Sequence, residues 1–354
     1  MIIYSISLLV FVIFANIQLL KKKLLKIELN LFFLFLICFV GLRDASGGDY
    51  YTYFKIFKNN SEYFRNFSFS ADIGFVLFTQ LIKSFSNNFY LYSIVISIFN
   101  FLCLRFFLTK FKVYNFLSMI ILYQSFIIFL FMGYVRQGLA ISILMVGIVF
   151  LYKKNFLMFF IYLFISILFH KSALVFLVFL LLYFIDKKLS PIFILFQSIV
   201  ISIFIYLYYD EFLRLFYYYS GEGNYFKSKG AYPRVLSNIF IIFSSYFYLF
   251  ANNYFNKDEN KKYHHFILTY LSITIITLYF LIIDNTTLAD RLNYYLVPLT
   301  IILLNLVHNH IKLKFTFINF VSIFYIINLN IWLLYGNFSS QWYYNYFPNT
   351  CLIC

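Results

Sequence analysis

Four short polar stretches interrupt long apolar runs, and their residue types suit the handling of an anion. The first is Gly41 to Tyr53, GLRDASGGDYYTY. Arg43 stands just beyond an apolar run, Gly47-Gly48 permits positive φ and close backbone approach, and Asp49 is placed to cap a helix beginning near Tyr50. The second is Gly133 to Ala140, GYVRQGLA, where Arg136 and Gln137 stand between glycines. A guanidinium carries five donors in a planar fork that suits a phosphate. The third, FHKSA, offers His170 as a base near neutral pH and Lys171 as an anion contact. The fourth is Asp290-Arg291-Leu292-Asn293-Tyr294-Tyr295, with Asp290 an expected N-cap and Arg291 in the first turn, against the helix dipole. Tyr232-Pro233-Arg234 is a weaker fifth case.

Each stretch also has a plainer reading. Arg43 and Arg136 could snorkel to headgroups, Asp49 and Asp290 could be caps alone, and any exposed hairpin needs a few polar residues. Arginines placed beside glycines and against local preference tilt the balance toward function. Taken together, Arg43, Arg136, Arg291 and the His170-Lys171 pair describe one anion-binding pocket at a bilayer surface, suited to a lipid-linked phosphate or pyrophosphate.

The elements that must position these groups are membrane helices. Of 354 residues 63% are hydrophobic and 12% charged, and the mean hydropathy is +0.83. A soluble domain has about 25% charged residues, so a soluble enzyme and a disordered chain are excluded. The net charge of +15 lies in short clusters between apolar runs, which excludes a nucleic-acid binder. Segments such as LFFLFLICFV (31–40) are apolar on both parities, so they are helices rather than barrel strands. With 4 Pro and 11 Gly, the composition supports about 12 spans at about 18–20 residues each. The fold expected is all-α and polytopic, one integral membrane domain over 1–354.

Basic clusters set the orientation. Lys21–Lys23 with Lys26, Lys110 and Lys112, Lys153-Lys154, Lys187-Lys188, Lys257 with Lys261-Lys262, and Lys312 with Lys314 are placed inside. Spans are then expected at 2–20, 28–42, 89–108, 113–131, 137–152, 156–169, 172–185, 190–209, 234–252, 264–283, 294–307 and 315–335. Residues 43–88 form a first external loop, with 72–86 an amphipathic or re-entrant helix. A second external loop covers 210–233 and a short one 284–293. Both termini, most of the acids and all four polar stretches fall outside.

ATP, dinucleotide and zinc motifs are missing, and the acids lie on separate loops without the close pair a divalent metal needs, so neither cofactor nor metal is expected. Cys351-Leu352-Ile353-Cys354 is CxxC in form without a second pair or a thioredoxin-like context. The tyrosine clusters Tyr50, Tyr51, Tyr53 and Tyr217 to Tyr219 suit a membrane interface.

RDASGGDYYTYFKIF, YVRQGLA, FHKSAL and ADRLNYY, in that order, make the chain similar to the EpsG-like family of Wzy-type polysaccharide polymerases. The resemblance runs from about residue 35 to 300, with Gly-Gly-Asp where the family commonly has Gly-Thr-Asp, and the flanks add little to it. It implies a GT-C-like, metal-independent glycosyltransferase in the bacterial inner membrane with its site facing the periplasm. Its substrates would be oligosaccharide units on undecaprenyl pyrophosphate, and a chain-length regulator protein would be a partner. On that reading Arg136 and Arg291 take the pyrophosphate with Arg43 as a third contact, and His170 or Asp49 is the base. Tyr50, Tyr53, Gln137, Lys171, Tyr294 and Arg234 support the substrate. An O-antigen ligase and a lipid-linked oligosaccharide flippase are the alternatives. Charges concentrated at helix ends rather than mid-span favour the enzyme.

Overall fold

The computed structural model describes residues 2–20, 26–59, 72–177, 228, 230–256, 258–282, 284–336, 338–342 and 345–346. The expected span 190–209, most of the second external loop, Tyr217 to Tyr219, Lys187-Lys188, Cys351 and Cys354 lie outside these residues, as does span 172–185 beyond 177. The described chain is overwhelmingly helical. In order come α1 (Ile2–Leu20), α2 (Lys26–Gly41), α3 (Tyr50–Lys58), α4 (Ile73–Phe85), α5 (Phe89–Lys110), α6 (Phe116–Leu122), α7 (Val135–Tyr152), α8 (Phe156–Phe169), α9 (Ala231–Ala251), α10 (Asp258–Ile282), α11 (Thr286–His310) and α12 (Lys314–Tyr335). Between α6 and α7 the chain winds as a π-helix over Tyr123–Gly133. Strands β1 (Arg43–Asp44) and β2 (Asn345–Tyr346) pair antiparallel, Arg43 opposite Tyr346.

Seven described helices are long and apolar enough to cross a membrane: α1, α5, α6 with its π-helical extension, α7, α9, α11 and α12. Four shorter apolar helices accompany them, at Ile27–Gly41, Ile73–Phe85, Phe156–Phe169 and Phe266–Ile282. The chain is an all-α polytopic membrane protein. Its outer faces are apolar: α1 buries Tyr4, Ser7, Leu8, Phe11 and Ala15 and exposes Ile2, Ile6, Leu9 and Ile13. That helical spacing gives one face to protein and leaves the other to lipid, while every backbone group is paired inside the helix.

Turn chemistry explains the short connections. Asn88, Asn115 and Asn155 accept backbone N–H groups of the first turns of α5, α6 and α8 through their side chains. Lys112, Lys154 and Asp284 adopt positive φ and close α5, α7 and α10 with paired 6→1 and 5→2 hydrogen bonds. Asp284 is followed by Asn285, whose Oδ1 accepts Leu288 N–H at 3.3 Å to start the next helix. The expected loop 284–293 is therefore corrected: α11 begins at Thr286. Asp290 is no N-cap, and Arg291 lies in the second turn rather than the first.

The chain divides into two compact units. The first comprises Met1–Phe67, Asp72–Lys171 and His308–Cys354, and the second Ser68–Ala71 with Ser172–Val307. In the first, α2 packs on α5, α5 on α7, α7 on α8, and α1 on both α6 and α12. Within it, Tyr50, Tyr53, Phe57, Phe75, Phe89, Tyr92 and Phe169 share one core cluster. In the second, α9 packs against α10.

Candidate functional site

In the first unit the site begins with the loop after α2. Arg43 is 4% exposed. Its Nη1 donates to Val40 O at 2.6 Å and its Nε to Ser46 O at 3.1 Å, so it braces its own loop instead of snorkelling. Ser46 also meets the Tyr4 hydroxyl at 3.1 Å. Gly47 follows at φ +111°, in a place where any side chain would collide with the Met132 carbonyl. Asp49 precedes α3 as expected, but its carboxylate makes no cap hydrogen bond. It is turned to other use: the charges of Asp49 and Asp72 both bear on the Arg136 guanidinium.

The first turn of α3 is buried. Tyr50 donates to Asp44 Oδ1 at 3.1 Å, and Tyr53 OH accepts the Arg136 backbone N–H at 3.4 Å. Burial pushes the Tyr53 phenol up to about 12, against a smaller opposing pull from Arg136. Tyr50 is also raised, by burial and then by the Asp44 charge. Arg43 and Tyr53, with Tyr92 and Ser93, line a cavity of ≈ 10 Å³, room for about one water.

Arg136, second residue of α7, extends Nη1 to Asp72 Oδ2 at 3.1 Å. The arginine side chain is 42% exposed and the carboxylate 9%, so the pair is anchored on the acid and open on the base. Gln137 beside it is 3% exposed. Asp72 begins α4, its carbonyl accepting Phe75 and Val76 N–H groups. Two residues on, Gly74 lies against Phe169 and Leu168 of α8 so closely that a Cβ would come within 2.9 Å of the Phe169 ring. His170 follows Phe169 in extended conformation, its N–H donating to Ser166 O. Packing of α4 on α8 thus carries His170 to the Asp72 end of α4, and Lys171 opens the short 3-10 turn that follows.

The second unit holds the other arginines. Arg234 in α9 grips Asp290 in α11 as a fork, Nε to Oδ1 at 3.0 Å and Nη2 to Oδ2 at 2.6 Å. Ser228 closes the set, donating to Asp290 Oδ2 at 3.1 Å and accepting from Arg234 Nη2 at 3.0 Å. The expectation of Arg234 as a substrate contact meets a guanidinium already matched to a carboxylate. Deeper on the same two helices, Asn238 donates to Asn293 Oδ1 at 2.8 Å and accepts from Thr300 at 2.6 Å. Arg291 is half-buried and Tyr294 is 3% exposed. Ser172 of the third stretch meets the Tyr295 hydroxyl of the fourth at 2.7 Å.

Thus Arg43, Asp49, Tyr50, Tyr53, Arg136, Gln137, His170 and Lys171 belong to the first unit and Arg234, Arg291 and Tyr294 to the second. Sequence reasoning gave Asp72, Ser172 and Tyr295 no role, and cast Asp290 as a mere cap. An acid directly before an amphipathic segment was the visible signal for Asp72; a partner 64 residues away was not visible. Among the described residues, no three His, Cys, Asp or Glu side chains gather as a metal ion would need.

A family model described as the EpsG family matches residues 26–348. The match reaches well past the expected limit near residue 300 and includes the segment that forms β2. No curated protein and no solved structure matches the chain.

Proposed function

Since this chain belongs to the EpsG family, a family of polysaccharide-polymerase-like membrane proteins, we propose that it is a polymerase of surface polysaccharide. It would transfer a growing glycan from undecaprenyl pyrophosphate onto a new lipid-linked repeat unit at the periplasmic face of the inner membrane. The C1–O bond to the pyrophosphate breaks and a C1–O bond to the acceptor hydroxyl forms. The hydroxyl proton goes to a base, and undecaprenyl pyrophosphate leaves as an anion.

The single observation that carries this reading is Arg136, oriented by a buried carboxylate yet open on its other side. An oriented cation at the place where negative charge develops lowers the barrier to departure. Arg136 takes the pyrophosphate in this account, and His170 or Asp49 is the base. Arg43 is assigned to shaping the loop, because its donors turn inward. The chemistry needs no metal.

The test is a gel of surface polysaccharide from a strain lacking the gene. A ladder that collapses to core plus one repeat unit, and returns with the wild-type gene but not with Arg136→Ala, supports the reading. Loss of even the single-unit band would point to the ligase or the flippase. Full polymer with Arg136→Ala would remove the pyrophosphate assignment.

A further inference from the structure

Trp342 sits beyond the last long helix, in a short 3-10 turn (Ser339–Trp342), and is 3% exposed. Its indole rests on two glycines from distant parts of the chain. A Cβ on Gly48 would lie 2.8 Å from its Cη2, and one on Gly133 would lie 2.7 Å from its Cζ2. Gly48 immediately precedes Asp49, and Gly133 lies three residues before Arg136. The indole N–H donates to Ile128 O at 3.2 Å, inside the π-helix that leads to Arg136. Phe129 and Trp332 stand edge-on to the ring, Trp332 at 5.2 Å.

The backbone around Trp342 continues the grip. Gln341 O accepts Gly47 N–H at 2.9 Å, and β2 pairs with β1 across Arg43 and Asp44. The segment around Trp342 therefore holds the loop carrying Asp49 and the helix end carrying Arg136, which also meet where Gly47 packs on the Met132 carbonyl, through the 3.4 Å hydrogen bond of Tyr53 and through charge.

We propose that Trp342 is a positioning residue for the transfer reaction, fixing Asp49 and Arg136 against each other through Gly48 and Gly133. The inference rests on the polymerase reading above. π-helical turns are rare and frequent at functional sites, and the Trp342 indole bonds to this one at the Ile128 carbonyl. The two glycines are required because no side chain fits beneath the indole. Geometry held by packed neighbours governs turnover more than binding.

The experiment uses the full chain purified in detergent as wild type, Trp342→Phe, Gly133→Ala and the double variant. Polymerisation of undecaprenyl-pyrophosphate-linked repeat units and thermal melting are both measured. Trp342→Phe should lower kcat about fivefold, with KM for the lipid-linked unit within about twofold and melting nearly unchanged. Gly133→Ala should lower kcat at least tenfold. The double variant should recover to the level of Trp342→Phe, because the smaller ring leaves room for the new methyl. If Gly133→Ala does not accumulate in membranes, restored accumulation of the double variant reads the same contact. Loss of folded protein at unchanged kcat would reduce Trp342 to a structural role and overturn the proposal. So would a double variant that shows the product of the two single losses. Should wild type itself make no polymer, the polymerase reading fails and the positioning role falls with it, whereas an active wild type with unchanged kcat in Trp342→Phe overturns the positioning role alone.

Discussion

Arg136 Nη1 stands 3.1 Å from Asp72 Oδ2, across 64 residues of sequence, with the guanidinium far more exposed than the carboxylate it meets. A pair buried on one side fixes direction: the acid cannot swing, so the arginine presents its remaining donors one way. Surface pairs add little stability, so the value of this one lies in orientation.

Asp72→Asn keeps the shape and removes the charge. Protein level should hold while kcat for polymer synthesis falls severalfold, because Arg136 loses its fixed direction. Arg136→Lys keeps charge but not the planar fork, and should fall at least tenfold. An assay of undecaprenyl pyrophosphate release or of the polymer ladder, normalised to folded protein, separates the two. An Asp72→Asn protein more active than wild type would mean that the carboxylate competes with substrate rather than aiming Arg136.

Arg234 and Asp290 form the tighter pair, with side chains 24% and 8% exposed. Arg234→Ala leaves Asp290 as an uncompensated buried charge, which costs about 3–5 kcal/mol. Melting should drop strongly. Arg234→Ala with Asp290→Ala should recover part of that loss, since no charge is then stranded. A single variant that melts like wild type would show that the fork is open in solution and free for a ligand.

Tyr53 predicts an alkaline signature. Its phenol ordinarily titrates near 10 and is raised to about 12 by burial. The folded state therefore holds this proton more tightly than the unfolded state. The stabilising effect is complete below pH 10 and is lost as pH rises toward 12. Tyr53→Phe should melt with a shallower decline between pH 10 and 12 than wild type; parallel declines would contradict the burial of this ring.

Much of this was legible before any coordinates. The apolar runs announced the helices, Gly47-Gly48 announced a turn at which Gly47 takes positive φ, and three of the four polar stretches lie at helix ends as expected, while the fourth lies inside α11. What was hidden has physical causes. Asp290-Arg291 read as loop because charge normally avoids a span, yet Arg234 neutralises Asp290 from another helix and α11 already begins at Thr286. Arg43 read as a third pyrophosphate contact because its bonds to Val40 O and Ser46 O carry no sequence mark. The eleven-residue π-helix has no signature in an apolar run. Residues 341–346 looked like an uninformative tail, since two paired residues and one tryptophan show no strand period.

The most direct measurement is reconstitution of the purified full chain in liposomes with undecaprenyl-pyrophosphate-linked repeat units and a metal chelator. The account predicts a ladder of lengthening lipid-linked glycans with release of undecaprenyl pyrophosphate, undiminished by the chelator and absent with Arg136→Ala. Lipid-linked units that cross the bilayer without lengthening, or lengthen only when a divalent ion is supplied, would contradict it.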